Sequence, residues 1–281
     1  MTRSGDLKGE KRMPELPEME TYRKMLAESI VGKPVTEVAI GREKSINVSV
    51  ETFVNYVRGQ RIERIDRRAK MLLFRLENGR TLLLHLMLGG SMFYGTVEEA
   101  PERSVQVRLS FGNEHLFFHG LRLGYLHLYE PQELADKLSK LGPEPLDPSF
   151  RADHFAARLR MKRGVLKSVL VDQSVLAGIG NCYSDELCFS AGVRPLRPIG
   201  ELTERNMQTL YTSMHSTLAE AIRFGGYMET PLYVGDPLTG AYNDKCKVYD
   251  RGGEPCLRCA RSVIQTEHNN RKVFYCEQCQ S

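Results

Sequence analysis

No stretch of this chain approaches the roughly 20 consecutive apolar residues that a membrane-spanning helix needs. Its first twelve residues, MTRSGDLKGEKR, hold no apolar segment of the kind that directs secretion. A cytoplasmic protein with no membrane partner is the expectation. Low-complexity blocks are missing too, and so is a strong charge of one sign, since 39 Lys and Arg against 35 Asp and Glu leave only +4. So mild a surplus permits a nucleic-acid partner without demanding one. With 281 residues, 41% of them hydrophobic, there is room for two cored domains and a small appendage.

Cysteine is scarce but pointedly placed. Of seven in the chain, Cys256, Cys259, Cys276 and Cys279 form two C-x-x-C pairs near the C-terminus. Each pair suits one knuckle of a tetrahedral zinc site, and one structural Zn2+ would stabilise a segment too short to build its own core. Two disulfides are the competing arrangement, disfavoured in a reducing compartment. Cys182, Cys188 and Cys246 have no such partners and read as small buried hydrophobes. Between the pairs, two strand-like runs flank the polar tip His268 to Lys272. A braced hairpin would hold two cations and several amides outward, a set that suits phosphate, although a plain solvated turn has the same composition.

Residues 35–130 read as sheet-rich. Val105 to Phe111 alternates apolar and polar, and Asn78-Gly79 joins two apolar runs in the manner of a tight hairpin. From 153 to 224 the period becomes helical, in HFAARLRMKR, SVLVDQSVLAG, NCYSDELCFSAG and LTERNMQTLYTSMHSTLAEAIRFGG. The proline-rich LGPEPLDPSF between these regions is a stiff connector. Residues 225–245 are glycine-rich and unpatterned, which predicts a long mobile loop. Gly178-Ile179-Gly180-Asn181 sits between two helices. It is either an ordinary turn with Asn181 as a cap, or a place where a partner approaches the backbone closely.

Met13-Pro14-Glu15-Leu16-Pro17-Glu18 starts a helix. Pro17 suits its first turn, the acids at 18 and 20 suit its positive end, and Met19, Tyr22, Leu26 and Ile30 form one apolar stripe. Taken with RRAK ending at Lys70, LGPEPL, LAGIGNCYSDE and GEPCLRC…RKVFYCEQCQ, these residues resemble the formamidopyrimidine-DNA glycosylase and endonuclease VIII family from Pro14 to the end. The resemblance implies an α+β chain with an N-terminal β-sandwich over 14–140, a linker at 141–152, a helical domain with a helix-two-turn-helix motif and a lesion-covering loop over 153–245, and a zinc-finger hairpin over 246–281. It implies a bifunctional base excision repair enzyme, working as a monomer on damaged double-stranded DNA in the bacterial cytoplasm, associated with the nucleoid.

Family members use a free N-terminal proline as nucleophile. An α-amine has an ordinary pKa near 8, against about 10.4 for lysine, so far more of it is deprotonated at neutral pH, and a helix N-terminus lowers it further. By resemblance, Pro14 forms a Schiff base with the lesion sugar, Glu15 handles protons, and Lys70 and Arg271 contact phosphates during elimination. Asn181 and Arg122 would also hold phosphate. As written, however, Pro14 is internal, and a tertiary amide nitrogen cannot attack. The expectation is that residues 1–13 are a leader absent from the mature protein, with translation starting at Met13 and methionine removed; Gly9 to Arg12 could be encoded by a purine-rich ribosome-binding stretch. Removing the leader and Met13 would lower the formal charge from +4 to +2. If the leader is retained, the chain reads instead as a zinc-containing protein that recognises damaged DNA without catalysis.

The chain departs from the family where the vacated base stack is filled. His85-Leu86-Met87-Leu88 and Gly120-Leu121-Arg122-Leu123 carry Leu88, Leu121 and Leu123 as candidate wedges, without the arginine that would pair the orphaned base. A family histidine is replaced near Ser104, and a lysine by Arg163. PELPE favours oxidised purines such as 8-oxoguanine; oxidised pyrimidines are the alternative.

Overall fold

The helix expected after Pro14-Glu15 runs over Leu16–Ile30 (α1) in a computed structural model that describes residues 12–281. Most of the expected leader, residues 1–11, lies outside the described residues. Pro17 occupies the first turn of α1, where a missing N–H costs nothing, and the Glu18 carboxylate folds back to accept from the Glu15 N–H at 2.8 Å. Met19, Tyr22, Leu26 and Ile30 bury into one core, whereas Leu16, three residues before Met19, is buried in another. α1 therefore joins two lobes, with Pro14 and Glu15 at the junction.

The first lobe continues with β1 (Glu37–Ile40), α2 (Val50–Val57), β2 (Ile62–Arg68), β3 (Met71–Leu76), β4 (Thr81–His85), β5 (Ser91–Gly95), β6 (Val105–Phe111), β7 (Glu114–His119) and β8 (Tyr125–Tyr129). Two four-stranded antiparallel sheets, ordered β1-β6-β7-β5 and β2-β3-β4-β8, make a β-sandwich. Leu72, Phe74, Leu82 and Leu84 face Val107, Leu109, Leu116 and Phe118 in the shared core. The other face of β3 and β4, with Met71, Leu73 and Leu83, is covered by Leu134 of α3 (Pro131–Leu138). Cover on both sides explains why these strands are continuously apolar rather than alternating.

The second lobe holds α4 (Ala152–Arg160), α5 (Leu166–Leu170), α6 (Asn181–Ala191) and α7 (Glu204–Arg223) around Phe155, Leu170, Leu187, Leu210 and Met214. α7 starts with a reciprocal cap, Thr203 Oγ1 accepting from Asn206 N–H at 3.2 Å and Thr203 N–H donating to Asn206 Oδ1 at 3.0 Å. The helical pattern of SVLVDQSVLAG is realised only to Leu170. Beyond it, Asp172 Oδ1 accepts from Ser174 N–H and Oγ–H at 2.9 and 2.7 Å, and Gly178 adopts φ +98°, so residues 171–180 turn instead.

Residues 225–245, expected to be mobile, are pinned. Tyr227, Leu232 and Tyr242 are buried, and Asp236 accepts from the backbone N–H groups of Leu232, Leu238 and Thr239. Absence of hydrophobic period did not mean absence of anchors. The chain ends in the hairpin β9 (Ile264–His268) and β10 (Arg271–Tyr275), whose two-residue turn Asn269-Asn270 takes φ +50° and +58°. Val263 and Phe274 of this unit pack on Phe189 of α6. Cys182, Cys188 and Cys246 are buried. Among the described residues no helix is long and apolar enough to cross a membrane.

Candidate active site

Glu15 reaches out of the start of α1 to the start of α6. Its Oε2 accepts from Gly180 N–H at 2.5 Å and its Oε1 from Cys182 N–H at 3.0 Å, so the carboxylate occupies the positive end of that helix. Leu16 N–H donates to Gly178 O at 3.0 Å and fixes the register of the two segments. The close approach suggested by Gly178 and Gly180 thus involves the chain itself. A Cβ on Gly180 would lie 2.2 Å from Lys70 Nζ and 2.6 Å from Glu15 Oε1, and one on Gly178 would lie 2.8 Å from Leu16 Cβ. Glu15 and Lys70 meet over a glycine because no larger residue leaves space for both.

Lys70 is delivered by the turn between β2 and β3, where Ala69 is held at φ +52°. Glu144, from LGPEPL, secures that turn: its carboxylate accepts from Ala69 N–H at 2.6 Å, Arg67 Nη1 at 2.5 Å and Arg68 Nη1 at 2.7 Å. Arg67 also pairs with Glu20 of α1 at 3.0 Å. RRAK and LGPEPL, far apart in sequence, form one clamp that aims the Lys70 ammonium. The positive charge of Lys70 adds to burial in depressing His85 to about 4, which leaves that imidazole neutral.

Glu18 lies behind Glu15. It accepts from Glu15 N–H, Tyr183 Oη–H at 2.5 Å and Tyr227 N–H at 2.8 Å. Burial and the neighbouring Glu15 charge push its carboxyl up to about 7. The PELPE motif contained this residue, but nothing in its spacing distinguished a buried acid from a helix-start acid. Tyr183 and Tyr227 likewise carried no signal, because their roles depend on contacts across the lobe junction.

Met13, Glu15, Lys70, Leu88, Asn181 and Arg271 line one cavity of about 540 Å³, with Tyr227 and Tyr249 on its wall. Pro14, between Met13 and Glu15, is buried beside it. Asn181 is the first residue of α6 rather than its cap, and its buried Oδ1 has no partner among the described residues. Other expected contacts lie outside the cavity. Arg122 and Leu123 are exposed on the β7–β8 connection, which packs against the Leu88 loop: a Cβ on Gly120 would strike Gly89 O at 2.1 Å. Leu121 must be corrected as a wedge, since it is fully buried in the sandwich core and presents no surface. Arg163 is exposed in a separate recess with Arg160 and Lys162.

The four C-terminal thiols converge, all within 4.8 Å of one another, with Cys256–Cys279 Sγ atoms 3.9 Å and Cys259–Cys276 Sγ atoms 3.5 Å apart. A tetrahedral ion with bonds of about 2.3 Å to sulfur requires edges of about 3.8 Å. The donor set therefore fits a metal ion.

A β-sandwich and a helical lobe that meet over a buried Pro-Glu pair, with a thiol-braced hairpin facing it, define the class of two-lobed DNA glycosylases. Residues 13–126 match the formamidopyrimidine-DNA glycosylase N-terminal domain, and residues 141–230 match the formamidopyrimidine-DNA glycosylase H2TH domain. The chain belongs to the formamidopyrimidine-DNA glycosylase family of DNA-repair enzymes. It is 35% identical to a formamidopyrimidine-DNA glycosylase of Desulfitobacterium hafniense over 95% of this chain and 100% of the relative. A relative in Chloroflexus aurantiacus is also 35% identical, over 95% and 98%. Among solved structures, the Lactococcus lactis Fpg bound to abasic-site DNA superposes with a TM-score of 0.88 at 28% identity, covering 95% of this chain and 99% of that one. The Thermus thermophilus MutM protein gives 0.84 at 33% identity, covering 95% and 98%.

Proposed function

We propose that this chain binds damaged double-stranded DNA, releases an oxidised purine and then cleaves the strand at the abasic site, with Pro14 as the nucleophile once residues 1–13 are gone. The convergence of Glu15, Lys70, Asn181 and Arg271 on one cavity beside Pro14 is the observation that carries this reading. The solved relatives include complexes with Fapy-dG DNA and with abasic DNA.

The damaged nucleotide must leave the stack before C1′ can be attacked. The Pro14 secondary amine then bonds to C1′, and the bond from C1′ to the base breaks with its electron pair leaving on the base. Glu15 handles the protons: it receives the one lost from the amine and gives it to the ring oxygen as the ring opens to an iminium. The iminium acidifies the C2′ hydrogen, whose removal expels the 3′ phosphate, and a second elimination expels the 5′ phosphate. Lys70 and Arg271 stabilise the departing phosphates, and Asn181 and Arg122 hold the strand. Leu88 and Leu123, 37% and 61% exposed, are the available wedges. Arg163, on its separate recess, is a peripheral backbone contact. Cys256, Cys259, Cys276 and Cys279 hold one structural Zn2+, which keeps Arg271 facing the cavity and takes no part in the chemistry.

Borohydride trapping on an abasic duplex tests the reading, using protein begun at Met13 and at Met1. A covalent adduct is expected from the chain whose N-terminus is Pro14 and none from the longer chain. Absence of an adduct from the shorter form would sink the enzymatic mechanism.

A further inference from the structure

The cavity holds a guanidinium of the chain itself. Arg12 Nη2 lies 2.9 Å from Asp250 Oδ2, its Nη1 donates to Asn243 Oδ1 at 3.4 Å, and its Cζ sits 5.6 Å from the centre of the Tyr227 ring. Tyr227 Oη–H donates to the Met13 carbonyl at 3.2 Å, so residues 12 and 13 run along the cavity wall. Asn243 Nδ2–H in turn donates to Glu229 Oε1 at 2.8 Å, which puts a second carboxylate behind that amide. Asp250 is held at φ +55°, a left-handed conformation that is uncommon for a residue other than glycine.

One bond of the Pro14 nitrogen differs between this chain and the proposed reaction. Its nitrogen is bonded in this chain to the Met13 carbonyl carbon; in the proposed reaction it bonds to C1′ of the lesion. A lesion bonded there takes the place of Met13 at that nitrogen, and Arg12, the next residue along the chain, lines the same cavity. The Arg12 guanidinium therefore stands in for part of the flipped base: a flat group with adjacent N–H donors, set against a tyrosine ring and paired with a carboxylate. Guanine contains that unit, because its N1–H, C2 and N2–H₂ are a guanidine embedded in the ring, and ring-opened or C8-oxidised guanines keep it. The corresponding edge of an adenine-derived lesion alternates donor and acceptor, and that of a pyrimidine lesion is flanked by carbonyls.

We propose that Asp250 is a specificity-determining residue that accepts one of the adjacent N1–H and N2–H donors of a flipped, guanine-derived lesion, with Asn243 Oδ1 beside it for the other and Tyr227 against the base. This rests on the reading given under Proposed function. A carboxylate and an amide oxygen set against two adjacent donors reward guanine lesions and are left unpaired beside the others, which discriminates more strongly than shape alone.

Single-turnover base release by the chain beginning at Pro14 tests the assignment, on duplexes carrying 8-oxoguanine, the formamidopyrimidine of guanine, or the formamidopyrimidine of adenine. Asp250→Asn keeps the size but turns one acceptor into a donor; it should slow both guanine lesions by about 10- to 100-fold and change the adenine lesion by less than about threefold. Asp250→Gly, which suits the left-handed backbone, should show the same loss of selectivity without a folding defect. Trapping on abasic DNA, which has no base to recognise, separates the two hypotheses. Wild-type protein that traps there while Asp250→Asn matches it on every lesion overturns the role of Asp250 alone. A loss on abasic DNA equal to that on guanine lesions also overturns it, as a structural defect, and wild-type protein that traps nothing overturns the enzymatic reading beneath it.

Discussion

Gly180 has φ −135°, a value open to any residue, so glycine is required there for space alone. An alanine Cβ would press on the Lys70 ammonium at 2.2 Å and on the Glu15 carboxyl carbon at 2.5 Å. Gly180→Ala is expected to cost about 1–3 kcal/mol by overpacking and to cut trapping on abasic DNA by at least about tenfold, since it displaces both charged groups. Trapping within error of wild type would show that neither group has to be where it is. Glu18 offers a pH test. With its carboxyl near 7, above the ordinary 4.5, the folded state holds this proton to higher pH than the unfolded chain. The stabilisation is complete below about pH 4.5 and is lost as pH rises through 7. The stability of wild type minus that of Glu18→Gln should therefore fall by on the order of 3 kcal/mol between pH 5 and pH 9 in urea titrations. A flat difference would refute the raised value.

Between elements, the important residues hold pieces that sequence separates. Glu144 lies between α3 and α4 yet fixes the β2–β3 turn, so Glu144→Ala should release Arg67, Arg68 and the Ala69 N–H together. The expected outcome is slower strand cleavage through a loosely held Lys70, with base release less affected, read by assaying the two products separately. Equal slowing of both steps would argue against a role through Lys70. Element type was legible wherever residue type follows a simple period: β6 alternates apolar and polar residues although Gln106 and Ser110 are buried too, the Asn78-Gly79 segment closes a hairpin, and α1 carries its stripe. It was not legible at 171–180 or 225–245. There Asp172 and Asp236 bond to nearby backbone groups and decide the conformation, and no hydrophobic period records such bonds.

Across the whole molecule, a buried ion pair ties the hairpin to the helical lobe. Lys167 Nζ lies 2.6 Å from Asp185 Oδ1, both almost wholly buried, and Asp185 Oδ2 accepts from Phe274 N–H at 3.1 Å. Lys167→Met strands a buried carboxylate, and a loss of about 3–5 kcal/mol is expected by chemical denaturation. Lys167→Met with Asp185→Leu should recover much of it; failure to recover would point to packing rather than charge. Removal of the metal is expected to release the hairpin that carries Arg271 and to weaken binding to abasic duplex by at least about tenfold, while the sandwich, with its separate core, keeps its cooperative melt. A chelated protein that binds as tightly as before would show that the hairpin is held by packing on Phe189 alone.

Local chemistry was within reach of the sequence by itself. The paired cysteines and the helix start after Pro14-Glu15 depend on residue type and short spacing, which the chain states directly, whereas Lys70 and the roles of Pro14 and Glu15 were marked by the family resemblance. Tertiary structure alone decided which of these meet. Glu15 finds the N-terminus of α6, Glu144 clamps the turn at Lys70, and Arg12 pairs with Asp250 across more than two hundred residues. It also took Leu121 out of reach by burying it. Contacts across a lobe junction follow from how two cores pack on α1, and packing is a property of surfaces that only the folded chain brings together.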